Sequence, residues 1–175
     1  MKPFLSLCFF LIVATLPVLA GDLSPQDQKA LLKDANRIKT AYEKGDADTI
    51  IKLTHPSIYT IAGGKDAFDN LTRTAIKRLK DVGITMSDFS LGTPSPAYVS
   101  GTTTVCFIPM TSIISAQGGK ARSTSFLIAA RENGQKQWLF IDGAGLRAHP
   151  EALKTFFPGL PDDVKLPENQ LEKIQ

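Results

Sequence analysis

Hydrophobic side chains recur at helical spacing over the first half of the chain and at alternate positions over much of the second. The first helical stretch carries four apolar residues on one face: Leu31, Ala35, Ile38 and Tyr42. Ser24 followed by Pro25 is typical of a helix start, because serine caps free backbone N–H groups and proline suits the first turn. Gly45 is typical of a helix end. The pattern predicts a first helix over residues 25 to 44.

Two further helices are predicted before residue 84. Asp46 can cap a short second helix that ends before Pro56, since the residue preceding a proline avoids the helical region. Residues 57 to 62 are predicted to be extended. After a Gly-Gly pair, helical spacing returns in a third segment that ends at Gly83 and carries Phe68, Leu71, Ala75, Leu79 and Val82.

From residue 84 onward the apolar positions follow the period of strands. Residues 84 to 91 predict one strand, and residues 98 to 114 predict a longer one. Two tight hairpin turns follow, centred on Gly118-Gly119 and on Asn133-Gly134. A short terminal helix is predicted over residues 149 to 157, before a polar tail.

Both faces of the predicted sheet are apolar. Counting outward from the two turns pairs Phe107 with Ala130 and then with Gln137. One face carries Phe107, Thr111, Phe126, Ile128, Leu139 and Ile141. The other carries Ile108, Met110, Leu127, Trp138 and Phe140. We expect the helices to cover the first face. The second needs residues 146 to 175 or a second copy of the chain, and its five large side chains favour a homodimer.

A small polar cluster ends the second face. In the predicted register Asp142 lies beside Ser112 and Ser125. These side chains fit a binding site, and they fit the hydrogen-bonded rim of an interface equally well. The sequence leaves both interpretations open.

The first twenty residues predict a secretory signal peptide. One positive charge at Lys2 precedes an apolar run that is short for a membrane span, and Val18 and Ala20 suit the positions before a cleavage site. A transmembrane anchor is the alternative. We therefore expect a secreted or periplasmic protein cut after Ala20, with one domain over residues 21 to 145, followed by a C-terminal helix and tail over 146–175.

Charge and cysteine usage exclude several functional classes. The chain has 20 basic and 17 acidic residues, which give a formal net charge of +3. A charge this small does not indicate nucleic-acid binding. Cys8 would leave with the signal peptide, so Cys106 has no disulfide partner and is interpreted as a small buried hydrophobic residue. His55 and His149 lack ligand spacing, so neither a metal nor a cofactor is expected. No membrane association is expected after cleavage.

The helix stop over residues 41 to 46, the His55-Pro56 break, the restart over 63–68 and the closing strand over 138–143 together resemble the nuclear transport factor 2-like superfamily. The resemblance covers about residues 25 to 145. It implies an α+β cone in which three N-terminal helices pack on a strongly curved antiparallel sheet and enclose an apolar pocket.

The superfamily includes enzymes similar to ketosteroid isomerase, polyketide cyclase and scytalone dehydratase. The resemblance places the isomerase's tyrosine and aspartate near Ile38 and Ile128, and two aliphatic side chains remove that mechanism. A dyad of His55 with Asp69 or Asp142 would resemble the dehydratases, so these three residues are the catalytic candidates.

The favoured hypothesis is a protein that binds a small apolar ligand or a partner without catalysis. The expected pocket residues are Tyr42, Tyr59, Phe107, Thr111, Phe126, Ile128, Leu139 and Ile141. A hydrolyase or isomerase centred on His55 is one alternative. A structural or interaction protein whose pocket is filled by its own side chains is another.

We expect the exported protein to begin at Gly21, because small residues precede that position and an apolar run precedes them. N-terminal sequencing of exported material checks this prediction. Recovery of the protein from membranes with residues 4 to 20 retained would contradict it.

Overall fold

The structure, a computed structural model, describes residues 21 to 174. The predicted signal peptide over residues 1 to 20 lies outside this range. Within it the chain is α+β, with five α-helices and one open antiparallel sheet of six strands. The α+β prediction is confirmed, but the helices are not all N-terminal, since the fifth follows five of the strands.

The first two helices begin and end as predicted. Helix α1 spans Pro25–Lys44, where Ser24 Oγ accepts a hydrogen bond from a backbone N–H and Gly45 ends the helix in the left-handed region. Helix α2 spans Ala47–Leu53, and the Asp46 carboxylate caps it. The two helices therefore meet at the Gly45-Asp46 corner.

The prediction of an extended piece over residues 57 to 62 is wrong. A 3₁₀ turn over Pro56–Ile58 leads into the single-turn helix α3, Tyr59–Ala62. The cause is local, because the His55 ring accepts a hydrogen bond from the backbone two residues ahead and Pro56 suits the first position of the turn. The third predicted helix is α4, Lys65–Asp81.

The sheet is built around one long hairpin. Its strands are β1 Thr85–Leu91, β2 Tyr98–Ser100, β3 Thr103–Ala116, β4 Gly119–Glu132, β5 Leu139–Asp142 and β6 Gln170–Ile174. Strands β1 and β2 both pair with β3, while β5 and β6 both pair with β4. The hairpin of β3 and β4 is thus the centre of the sheet.

This central hairpin has the predicted faces but a different register. Phe107 pairs with Ile128 rather than with Ala130, and Ala116 pairs with Gly119, so the turn lies one residue earlier than predicted. The pairing is therefore shifted by two residues. Such a shift keeps every side chain on its predicted face, because the side-chain period of a strand is also two.

The connection from β4 to β5 is longer than the predicted two-residue hairpin. A turn forms at Asn133-Gly134, but pairing resumes only at Leu139, so Gln137 has no place in the sheet. The Trp138 N–H donates to the Asp34 carboxylate on α1 over 3.1 Å. This bond holds the segment against α1 instead of a neighbouring strand.

The sheet face that carries Ile108 and Leu127 packs against the N-terminal helices. This first core joins Trp138, Ile108, Leu127 and Phe140 to helical side chains, which are Leu31, Ala35, Ile38 and Leu53. The predicted homodimer through Ile108, Met110, Leu127, Trp138 and Phe140 is wrong about the face, because these side chains are at most 4 % exposed within one chain. The homodimer itself stays a prediction.

The opposite sheet face is covered by the C-terminal segment, not by the N-terminal helices as predicted. Its second core joins Phe107, Phe126 and Ile128 to C-terminal side chains, which are Leu146, Leu153, Phe156, Phe157 and Leu160. Helix α5, Ala152–Phe156, lies in this segment. Hydrophobicity alone left the choice of cover open, because both faces are apolar and each needs one.

One glycine permits the chain to turn onto the second core. A β-carbon on Gly143 would lie 2.6 Å from the Phe126 ring, a distance that real side chains do not adopt. The 3₁₀ turn over Gly143–Arg147 therefore approaches the sheet closely and starts the C-terminal segment against it. Among residues 21 to 174, no helix combines the length and apolar character that crossing a membrane requires.

We expect Phe157→Ala to lower the free energy of unfolding by about 3 to 5 kcal/mol, because it empties space in the second core. Phe157 is 2 % exposed, whereas Leu171 on β6 is 55 % exposed. Leu171→Ala is the control, with an expected change within about 0.5 kcal/mol. Urea unfolding measures both, and equal losses would contradict the second core.

Candidate functional site

A cavity of about 320 Å³ lies between the N-terminal helices and the sheet face of the first core. Its walls come from α1, α2, α4 and from β1, β3, β4 and β5. The lining residues are Tyr42, Ile50, Thr54, Ile58, Phe68, Thr72, Ala75, Ile76, Met86, Phe89, Met110, Ser112, Ile114, Ser123, Ser125, Ile141, Asp142 and Ala144. The volume is at the low end of small-molecule sites.

A bulge in β1 places one aromatic wall of the cavity. Ser87 pairs with Ile113 and Ser90 with Thr111, so two residues of β1 oppose one of β3. Asp88 takes the extra position with φ of 53°, and Phe89 is thereby buried. The Phe89 ring stacks on Tyr42 of α1, with ring centroids 6.1 Å apart.

A polar row crosses the apolar cavity wall on the sheet. Ser112 and Ser123 are direct partners across β3 and β4, and Ser125 follows Ser123 on the same face. Asp142 lies on β5 and pairs with Leu127 of β4, which places Asp142 diagonally from Ser125. The cluster of Ser112, Ser125 and Asp142 therefore lines a cavity, which favours the interpretation as a binding site over that as an interface rim.

Asp142 is the acidic group of this cavity. One of its oxygens accepts a hydrogen bond from the Ala144 N–H over 2.9 Å, while water can still reach the side chain through the cavity. Desolvation by the surrounding protein raises the pKa of Asp142. The hydrogen bond from the Ala144 N–H and the charge of Arg147 act in the opposite direction. A carboxyl group with a raised pKa in a cleft is a typical functional-site feature.

Tyr42 provides a neutral hydroxyl in the same cavity. Burial, and secondly the negative charge of Asp142, raise the pKa of Tyr42 well above its usual value. The phenol therefore stays protonated and can donate a hydrogen bond. Tyr42 and Asp142 together give the cavity a donor and an acid or acceptor.

The predicted pocket residues divide between the two faces of the sheet. Tyr42 and Ile141 line the cavity, and Tyr59 stands behind the lining residue Phe68, with ring centroids 5.4 Å apart. The other predicted residues belong to the opposite face or to its edge and do not line the cavity: Phe107, Thr111, Phe126, Ile128 and Leu139. The face that was predicted for the homodimer supplies the pocket instead.

The structure does not bring His55 together with Asp69 or Asp142. The His55 Nε2 atom lies 3.8 Å from Glu132, and the His55 ring packs on Phe157, with ring centroids 5.3 Å apart. Asp69 pairs with Lys65 along α4 over 2.6 Å. The predicted dyads are therefore wrong, and of the three candidates only Asp142 lines the cavity.

Ser57 holds the Nδ1 atom of the His55 ring. Nδ1 accepts from the Ser57 N–H over 3.3 Å and lies 2.9 Å from the Ser57 hydroxyl oxygen. The distance of 3.8 Å from Nε2 to Glu132 is too long for a hydrogen bond, and Nε2 is buried without a partner among the described residues. Burial lowers the pKa of His55, and the Glu132 charge partly offsets this.

Other reactive groups in the described residues have structural settings. Cys106 is fully buried, and burial raises the pKa of its thiol to about 12. Such a thiol is inert as a nucleophile. Within residues 21 to 174, no cluster of three His, Cys, Asp or Glu side chains could hold a metal ion.

Sequence reasoning missed Phe89, Met86 and two of the α4 residues that line the cavity, Thr72 and Ile76. Strict strand alternation hides Phe89, because the bulge at Asp88 shifts the pattern. Aspartate tolerates a positive φ better than most residues, so Asp88 in the middle of a predicted strand was the available signal. The α4 residues face a cavity and not a close-packed core, and spacing alone cannot separate these two cases.

Comparisons of the chain with protein-family models, with curated proteins and with solved structures gave no significant match. The likeness to the nuclear transport factor 2-like superfamily therefore rests on the sequence features quoted above.

We expect stability to fall as pH drops below about 6.5 through protonation of His55. The pKa of His55 is lowered in the folded state, so the unfolded state binds the proton first and is favoured. His55→Asn keeps an acceptor for the Ser57 N–H but removes this titration. Its unfolding free energy, from urea titrations across that range, should depend less on pH than that of the unmodified protein.

The matched control for this titration is His149→Asn, because His149 is exposed and pairs with Glu151 at the surface. The control should keep the pH dependence of the unmodified protein. Equal pH dependence in the unmodified protein and in His55→Asn would contradict the assignment.

Proposed function

We propose that this chain is an exported member of the nuclear transport factor 2-like superfamily that binds a small, largely apolar ligand without catalysis. The observation that carries the proposal is the cavity of about 320 Å³, which has aromatic and aliphatic walls and one polar row. Binding sites combine these features, since the apolar walls supply affinity and a few polar groups fix orientation.

The arrangement around the cavity supports the cone of the proposed superfamily. Three helices, α1, α2 and α4, lie on one side of it and the sheet on the other. Strand β1 is bulged where it lines the cavity, and bulges increase the twist and bend of a strand. A curved sheet closed by N-terminal helices is the architecture that the resemblance implies.

An acid-base enzyme is the second candidate, because Tyr42 and Asp142 line the same cavity. A carboxyl group with a raised pKa near a neutral phenol could move a proton to or from a bound ligand. This candidate centres on Asp142, not on His55, which lies outside the cavity lining. Turnover of an enone or hydroxy-ketone that is lost in Asp142→Asn would favour the enzyme.

The cavity also bears on the third hypothesis, a structural protein with a filled pocket. The space is partly open to solvent, and a polar groove beside α1 has a larger volume, about 430 Å³ against about 320 Å³. The apolar character of the walls, rather than the volume, favours a ligand-binding role over a purely structural one.

We expect Thr72→Trp to weaken binding of n-octanol by at least about tenfold, or about 1.4 kcal/mol. Thr72 on α4 lines the cavity, so the indole would occupy ligand volume. Thr74→Trp is the matched control, because Thr74 is an exposed threonine on the same helix outside the lining. Isothermal titration calorimetry measures the three affinities.

Binding of n-octanol that Thr72→Trp and Thr74→Trp weaken equally would contradict the cavity as the binding site. Failure of n-octanol and of the eight-carbon amine and carboxylate to bind the unmodified protein would contradict the proposed function for a ligand of this size. Native mass spectrometry of protein purified from its own host would reveal a retained ligand and the oligomer mass.

A further inference from the structure

The cavity lining carries one formal charge. Asp142 is its only residue of the Asp, Glu, Lys, Arg and His types among residues 21 to 174. The other polar groups of the lining are hydroxyls, of which Thr54 already donates to the Ile50 carbonyl over 2.7 Å. The cavity therefore offers acceptors and a negative charge, but no cationic side chain of its own.

The Asp142 carboxylate has capacity for a further partner. One oxygen accepts from the Ala144 N–H, and no described residue donates to the other oxygen. Ser125 stands diagonally from Asp142 on the same sheet face and can supply a hydroxyl to the same head group. The polar row thus presents oxygen atoms at one region of an otherwise apolar wall.

Arg147 is a cation whose charge acts on Asp142. Arg147 does not line the cavity. Its guanidinium instead donates to the carbonyl oxygens of Asn169 and Gln170, over 3.4 Å and 3.3 Å. The C-terminal segment therefore holds Arg147 away from the cavity, and Asp142 keeps a free side toward a ligand.

We propose that the cavity selects ligands whose apolar body ends in a protonated amine. Asp142 is the counter-ion, and the serines of the polar row are further acceptors. This inference rests on the proposed ligand-binding function. An ammonium group donates to carboxylate and hydroxyl oxygens, and charge-assisted hydrogen bonds are about twice as strong as neutral ones. A carboxylate ligand would meet a like charge instead, so fatty acids should be rejected.

Three probes of equal chain length separate the head groups: n-octylamine, n-octanol and octanoate. Each has about ten heavy atoms, which suits the cavity of about 320 Å³. At about pH 8 the alkylammonium is charged, since its pKa is close to that of lysine, and octanoate is ionised. Isothermal titration calorimetry with the full-length purified protein should give n-octylamine an affinity at least about tenfold above n-octanol, with octanoate weakest.

Asp142→Asn tests the counter-ion. The amide oxygen of asparagine can still accept from the Ala144 N–H, so the local turn keeps its cap. The variant should remove the preference, so that n-octylamine and n-octanol bind it with similar affinity. Asp163→Asn, at an exposed aspartate outside the lining, is the matched control and should keep the tenfold preference.

The outcomes separate this inference from the proposed function. If n-octanol binds but octanoate equals or exceeds n-octylamine, the amine preference is wrong while ligand binding stands. An unchanged preference in Asp142→Asn would also overturn it. If none of the three probes binds, both proposals fail. The ranking in the unmodified protein decides the question even if the variant does not fold.

Discussion

The structure depends on one constraint, which is that both faces of the central β3–β4 hairpin are apolar and need a cover. The N-terminal helices cover the face of Ile108 and Leu127, and the C-terminal segment covers the face of Phe107 and Ile128. Each cover supplies a separate core. The cavity lies where the first cover is incomplete, at the end of the hairpin where serines replace large apolar residues on the helix-facing side.

Local signals made the helices and the sheet faces predictable from the sequence. Ser24, Asp46 and Gly45 act within one turn of their own position, so their effects do not depend on the rest of the fold. The faces of the hairpin survived an error of two residues in register because the strand period is two. The prediction of which segment packs on each sheet face was wrong. That choice depends on contacts between residues far apart in sequence, such as Trp138 with Asp34.

The candidate site was predictable only in part. Tyr42 and Asp142 were both noted from the sequence, but their meeting in one cavity required the three-dimensional arrangement of α1 and β5. His55 attracted interest as one of two histidines, yet its ring caps a turn and packs on Phe157. A titratable residue at a helix end is ambiguous in sequence, because capping and catalysis use the same polar atoms.

The most direct test of the account is methionine-methyl NMR during titration with n-octylamine. Apart from Met1, the chain has only Met86 and Met110, and both line the cavity. Binding in the cavity should shift both methyl signals until they saturate together, whereas the methyl signals of Ile128, fully buried in the second core, should stay in place. Saturable binding that leaves both methionine signals unmoved would contradict the cavity as the binding site.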